Sequence, residues 1–314
     1  MACIKAWHVI GVDLLIKERK IQNDYNMNKI TRFRAYQLGV KGASFSLAVD
    51  DDFTLIEARL NDCNRANVFN EMQIAGTKSI SLLHITSWDV DHCNPKELHD
   101  ILCCLKPQRI QYPGYQPDSD RGRESLKMIS DYLYQNRILA GVISPEYVNS
   151  LEVGESAKYS TIVYNPTKEY EKHNDMSIAA LFRKGRFTVL SLGDCESPEI
   201  ASTIMDCGIA NRETDVMLMA HHGADNGFTT EEFIKRISPK IAICASDYDN
   251  QYDHPRQEVR EMLYNNGVRF FTTKTGDVLV VCDTDNNVHV TNYIGNGTKV
   301  SSTYEFRPKF TIEK

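Results

Sequence analysis

An apolar run that stops abruptly in carboxylates and imidazole constrains this chain more than any other feature. It reads Leu82-Leu83-His84-Ile85-Thr86-Ser87-Trp88-Asp89-Val90-Asp91-His92. The β-branched and leucine-rich stretch over residues 80–86 suits a buried strand and is too short for an independent helix. The polar cluster therefore falls at the C-terminal end of a strand, where open α/β sheets place their sites. Asn94-Pro95-Lys96-Glu97 follows with an N-cap, a proline at the first helical turn and a Glu at the capping-box position. Asp89, Asp91 and His92 are thus expected in a short loop between a rigid strand and a rigid helix. Such a loop can hold metal ligands in order.

The same construction recurs along the chain. Residues 177–182 and 187–192 predict a hairpin across Arg183-Lys184-Gly185-Arg186, and its second strand ends at Gly193-Asp194. Residues 215–220 form an apolar run that ends in His221-His222-Gly223, and residues 241–245 precede a loop ending in His254-Pro255. Four strand ends therefore carry Asp or His. Upstream, residues 33–57 predict a small β meander, and residues 67–73 a helix. Residues 109–112 predict a strand and residues 121–134 a helix with Leu126, Ile129 and Leu133 on its buried stripe. Residues 137–173 are read as irregular. Thr229-Thr230-Glu231-Glu232 caps a helix, Pro255 starts another and Gly267 ends it. Residues 269–273 and 278–281 read as a last hairpin, and residues 284–314 as polar edge strands.

With 314 residues, 42% of them hydrophobic, the chain has enough apolar material for a large core. No run of about 18 apolar residues occurs, so no membrane span is expected, and the charged start lacks a signal-peptide core. The expected location is cytoplasmic. Nine cysteines without paired Cys-x-x-Cys knuckles point to reduced, buried thiols rather than a disulfide framework or a zinc ribbon. A net charge of −6 argues weakly against a general nucleic-acid-coating surface and leaves a nuclease open, because a basic lip and bound cations attract phosphate locally.

Ser87-Trp88-Asp89-Val90-Asp91-His92 resembles the His-x-His-x-Asp-His signature of the metallo-β-lactamase superfamily, and Ser191-Leu192-Gly193-Asp194 resembles its Gly-Asp bridging strand. Met219-Ala220-His221-His222-Gly223, residues 237–243 and Tyr252-Asp253-His254-Pro255 are similar to the soluble hydrolase domain of ComEC-type competence proteins. Leu38-Gly39-Val40-Lys41-Gly42 and Leu55-Ile56-Glu57 match that domain's opening hairpin. The resemblance spans about residues 33–282. It implies an α/β fold, an αββα sandwich of two mixed β-sheets flanked by helices. Residues 1–26 are expected to be an N-terminal extension. Residues 27–314 are expected to form one domain, with a divergent insertion at about 106–176.

The resemblance also implies hydrolysis of phosphodiester bonds by a nuclease or nucleotide phosphodiesterase. One or two divalent ions, Zn or Mn, would lower the pKa of a water from roughly 16 toward about 7. The phosphodiester partner is a nucleic acid or nucleotide. The alternative is a degenerate member of the fold that binds a nucleotide, nucleic acid or protein without turnover. Carried over by position, the metal ligands are Asp89, Asp91, His92, Asp194, His221 and His254, with Asp91 and Asp89 as catalytic carboxylates. Ser87, His222, His84 and Glu57 are supporting groups or alternative ligands, and either His221 or His222 fits the ligand role. One pocket is complete in Asp91, His92, bridging Asp194 and His254. The other keeps Asp89 and His221 or His222 but has Ser87 where the signature begins with His, and Glu57 stands where the opening hairpin carries Asp.

Simpler readings exist for most of these side chains. His84, inside a strand, suits a core position. His99 suits a solvated helix face, and His8, His173 and His289 lie outside every motif. Trp88 is expected as a wall of the site. Arg109, Arg121, Arg123, Tyr112 and Tyr115 suit either a substrate lip or, for the arginines, a solvated face.

Overall fold

The computed structural model describes residues 30–151, 159–249, 252–295 and 297–309. The expected N-terminal extension and His8 lie outside them. Fifteen strands in this range form two sheets.

The nine-stranded sheet takes β1 (Thr31–Ala35), β2 (Phe45–Val49), β3 (Asp52–Ile56), β4 (Leu82–His84), β5 (Ile110–Pro113) and β6 (Ala140–Ile143). The six-stranded sheet follows with β7 (Thr161–Asn165), β8 (Ala179–Phe182), β9 (Val189–Ser191), β10 (Val216–Leu218), β11 (Ile241–Cys244) and β12 (Arg269–Thr272). The chain then returns to the first sheet with β13 (Val278–Cys282), β14 (Val288–Tyr293) and β15 (Val300–Phe306). Strand order is β15-β14-β13-β1-β2-β3-β4-β5-β6 in one sheet and β12-β11-β10-β9-β8-β7 in the other. Both are mixed: β3 to β6 run parallel, as do β9 to β12, and the remaining pairs are antiparallel.

Side-chain alternation explains the layering. In β10, Val216 and Leu218 enter the core between the sheets while Met217 packs outward; in β11, Ile241 and Ile243 face inward while Ala242 and Cys244 face out. The outer face of the six-stranded sheet is covered by helices, whose buried Ile200, Ile204, Phe233 and Leu263 share a cluster with Met217. On the nine-stranded sheet, Val68 and Met72 of α1 (Arg65–Ile74), Leu98 of α2 (Pro95–Asp100) and Ile129 of α3 (Asp120–Asn136) pack over Phe53, Leu55 and Leu83. The result is the αββα sandwich that the motifs implied.

Several sequence expectations are corrected. Residues 137–173 are not irregular: β6, α4 (Pro145–Ser150) and β7 lie there, and β6 and β7 belong to different sheets. Residues 269–273 and 278–281 are not a hairpin, since β12 pairs with β11 and β13 pairs with β1. The cause is Asp277, buried in the intervening turn. Its carboxylate accepts from Arg34 Nε at 2.8 Å, Gln37 N at 2.7 Å and Asn67 Nδ2 at 2.9 Å, which ties the turn to the nine-stranded sheet. Pro255 follows a cis peptide and does not start a helix; the helix spans Gln257–Asn265, with Arg256 at the N-cap position making no side-chain cap. Of the two strands expected at edges over residues 284–314, β14 is interior and β15 is an edge.

Candidate metal centre

β4, β9, β10 and β11 each end in one of the four polar loops found in the sequence. Asp91 and His92 follow β4, Asp194 follows β9, and His222 follows β10. One donor atom from each of these four buried residues lies within 4.8 Å of the others. The cluster therefore joins the C-terminal edges of both sheets.

Backbone geometry brings Asp194 in. Gly193 has φ +53°, and a Cβ there would stand 2.9 Å from Ser177 Cβ, so only glycine suits both the left-handed turn and the packing. The Gly193 carbonyl also accepts from His221 N at 2.9 Å, which fixes the second histidine loop beside the first carboxylate. His221 and His222 are both left-handed, with φ 43° and 53°, in a short 3-10 turn rather than on a strand.

The ring nitrogens are assigned by what lies behind them. His222 Nδ1 is 2.7 Å from the Ala245 carbonyl, which makes it the N–H donor and leaves Nε2 as a lone pair 3.6 Å from Asp91 Oδ2 and 3.8 Å from Asp194 Oδ1. His92 Nδ1 sits 3.0 Å from Glu57 Oε1, while its Nε2 is 2.9 Å from Asp194 Oδ2. Glu57, itself buried, accepts from Thr86 N at 3.0 Å and from Thr86 Oγ1 at 2.5 Å. This carboxylate-histidine pairing is the arrangement that orients a metal-binding imidazole.

Electrostatics in the cluster are strongly coupled. Burial opposes charge on His92, but the carboxylates of Asp194 and Glu57 outweigh it and raise the imidazole well above its ordinary value. Burial would likewise raise Asp194, and His92 and His222 reverse this, holding its carboxyl well below the usual range. Asp91 is lowered too: burial is again opposed, here by His222, His92 and Lys41.

A divalent ion fits these residues. His222 Nε2 is buried without a hydrogen bond, while Asp91 Oδ2 and His92 Nε2 are met by charged partners, Lys41 Nζ at 2.8 Å and Asp194 Oδ2 at 2.9 Å. Separations of 2.9, 3.6 and 3.8 Å bracket the roughly 3.4 Å between ligands of a tetrahedral ion bonded at about 2.1 Å. Two carboxylates with two imidazoles form an oxygen and nitrogen donor set suited to a divalent metal ion.

The remaining candidates stand apart from this foursome. Geometry selects His222 over His221 as the partner of the carboxylates. His221 Nδ1 instead pairs with Glu196 Oε1 at 2.8 Å, and its ring centroid is 6.0 Å from that of His254. Burial and the neighbouring His221 and His222 lower His254 to about 4, and its ring stacks on Tyr252. Asp89 is exposed at the rim, its carboxyl raised by partial desolvation. Ser87 is fully buried, with Oγ accepting from Asp89 N at 3.2 Å and hydrogen-bonded to Tyr115. His84 lies between the sheets against Phe182, with Nδ1 on Gln111 Oε1 at 3.0 Å. Trp88 is buried against Tyr112, with Nε1 donating to the Tyr115 carbonyl.

Three features escaped sequence reading. Glu196 lies two residues past Asp194 and was passed over because the motif ends at Gly-Asp. Lys41, which in the sequence is only part of the opening-hairpin match, places Nζ 2.8 Å from Asp91 Oδ2. Glu97 does not close a capping box: it accepts from Arg59 Nε at 2.9 Å and Leu60 N at 2.7 Å. Arg59 Nη1 in turn donates to the carbonyls of Lys41 at 2.9 Å and Asp91 at 3.1 Å, and Ala43 N donates to Asp91 O at 3.0 Å. Gly42 passes under this clamp at φ +138°, where a Cβ would meet Arg59 Nη1 at 2.0 Å and Asp91 O at 2.6 Å. Gly42→Ala is expected to cost about 2 kcal/mol or more through strain and clash. Urea unfolding measures this, and an unchanged midpoint would show that the loop has slack.

No family model matches the chain. Among curated proteins it is similar to ComE operon protein 3 of Bacillus subtilis (strain 168), 33% identical over 199 residues, covering 63% of this chain and 24% of that protein. It is also similar to competence protein ComA of Neisseria gonorrhoeae, 27% identical over 95 residues, covering 30% of this chain and 14% of that protein. The chain thus spans at most about a quarter of the length of either relative. Among solved structures, Igni18, a metallo hydrolase from the archaeon Ignicoccus hospitalis KIN4/I, aligns with TM-score 0.49 at 12% identity, covering 80% of this chain and 98% of that one. Tm1679, a metal-dependent hydrolase of the beta-lactamase superfamily, aligns with TM-score 0.44 at 12% identity over 79% and 98%. The likeness to competence proteins is the one the motifs anticipated.

Proposed function

We propose that this ComEC-like chain is a metal-dependent hydrolase of phosphodiester bonds, a nuclease or nucleotide phosphodiesterase. The observation that carries the reading is the convergence of Asp91, His92, Asp194 and His222, all buried, with His222 Nε2 left without a hydrogen bond. Similarity to competence proteins supports the choice of a nucleic-acid or nucleotide substrate over a carbonyl compound.

In this reading Asp91, His92, Asp194 and His222 hold the divalent ion, Zn or Mn. Bound there, the ion supplies a Lewis acid and a water acidified toward neutrality. Glu57 and the Ala245 carbonyl fix the two imidazoles so that each presents Nε2. Asp89 at the rim, its carboxyl raised by partial desolvation, is the candidate proton-transfer group of the site. His221, paired with Glu196, stands beside His254, and the pocket that the signature assigns to a second ion has the weaker donor set because Ser87 brings no imidazole.

Metal analysis of the purified chain, then cleavage assays on DNA, RNA and cyclic nucleotides with added Mn, test the reading. The expected result is at least one bound ion per chain and Mn-dependent turnover of one of these substrates. Metal binding without turnover of any of them moves the protein to the binder alternative. No binding at millimolar Mn removes the enzyme reading.

A further inference from the structure

We propose that Lys41 is a displaceable internal cation of this centre: its ammonium neutralises Asp91 until a divalent ion takes that carboxylate, then turns to the mouth and holds an anionic oxygen of the phosphodiester. This rests on the hydrolase reading above and names the residue that meets the substrate's charge.

Lys41 Nζ stands 2.8 Å from Asp91 Oδ2, the same oxygen that lies 3.6 Å from His222 Nε2. An ammonium and a divalent ion cannot share that position, because like charges a few ångströms apart in a partly dehydrated site repel strongly. One must leave when the other binds. The side chains differ in the way such an exchange requires: that of Asp91 is 7% exposed, whereas that of Lys41 is 58% exposed.

The main chain at Lys41 cannot follow. Its carbonyl is held by Arg59 Nη1 at 2.9 Å, and Gly42 runs so close to Arg59 and to Asp91 O that no Cβ fits. Motion is therefore confined to the flexible four-carbon stem, outward from a fixed pivot. Its landing place is already present. The half-exposed ring of Tyr252 lies 5.7 Å from Nζ and stacks on His254 at the rim, so the ammonium moves across an aromatic face rather than into bare solvent. A phosphodiester arriving at the ion brings a negative charge to that rim, and a lysine is suited to it as a compact point charge with three donors.

Calorimetric titration of the full chain with Mn alone, and of the Mn-loaded chain with inorganic phosphate, tests the assignment. Wild type is compared with Lys41→Met, which keeps the stem, and with Lys41→Ala. Loss of the competing ammonium is expected to tighten Mn binding about fivefold, the scale of a partly exposed ion pair. Loss of the charged donor is expected to weaken phosphate binding about tenfold. If wild type binds Mn and either affinity is unchanged in both variants, the role of Lys41 is wrong while the hydrolase reading stands. Mn binding by Lys41→Met but not by wild type removes the enzyme reading, and the exchange at Lys41 falls with it. If neither binds Mn, both readings fall.

Discussion

Asp194→Asn is expected to weaken Mn binding by at least about a hundredfold and to lower any phosphodiesterase turnover by about a thousandfold, several kcal/mol of charge stabilisation. Asp194 is the carboxylate that both imidazoles reach, His92 at 2.9 Å and His222 at 3.8 Å, so its loss uncouples the two halves of the centre. The amide preserves volume and can still accept a hydrogen bond, which separates lost charge from lost packing.

A pH signature accompanies the change. Without metal, His92 is raised by Asp194 and Glu57, so its contribution to stability is complete below about pH 6.5 and is lost as pH rises through the folded-state value. Asp194 is lowered, so its contribution is present above about pH 3.9 and is lost as pH falls. An ion taking these groups must expel the His92 proton, and wild-type Mn affinity should therefore rise with pH through neutrality. Asp194→Asn removes one of the two carboxylates that raise His92, so fewer protons should be released on binding. Titration in buffers of different ionisation heat counts them. Retention of Mn affinity within about threefold, at any pH between 6 and 8, would remove Asp194 from the ligand set on the linkage argument.

What could be read from sequence, and what could not, divides along physical lines. Val216, Met217, Leu218 and Ile241, Ala242, Ile243 are short runs buried on both faces, and such runs announce strands whatever their partners. Asp91, His92 and Asp194 are adjacent to such runs, so their meeting at a sheet edge follows once both sheets are inferred. The choice of His222 over His221 was not legible, because two left-handed residues in succession replace the strand geometry on which alternation depends. Pairing of residues 269–273 with β11 was hidden for another reason: nearest-neighbour turn chemistry favours a hairpin, and the deciding contacts are those of Asp277 with Arg34 and Gln37, about 240 residues away. The Glu97-Arg59 clamp likewise overrides a capping box that local sequence prefers. In these last two cases a long-range charged contact outweighs a local propensity worth about 1 kcal/mol or less.

Ser87→His shows the same division in a form that can be measured. Set against the signature, the substitution restores a missing ligand and is expected to add a second ion. In the folded protein Ser87 is fully buried, its Oγ accepts from Asp89 N at 3.2 Å, and it is hydrogen-bonded to Tyr115, whose hydroxyl also lies 3.3 Å from Trp88 N. The phenol thus occupies the side of the loop toward which a new imidazole would have to extend. The single variant is expected to be overpacked by about 1–3 kcal/mol, with a lower melting temperature and metal content unchanged per chain. Pairing it with Tyr115→Ala vacates that space, and the double variant should then bind one more ion than Tyr115→Ala alone. The gain in thermal stability on adding Mn should rise accordingly, since a ligand bound by the folded state stabilises it by RT ln(1 + [L]/Kd). Metal analysis and melting curves on the four proteins complete the cycle. A second ion in Ser87→His alone, with no loss of stability, would show that Tyr115 does not block the pocket and that one side chain is all the incomplete half lacks.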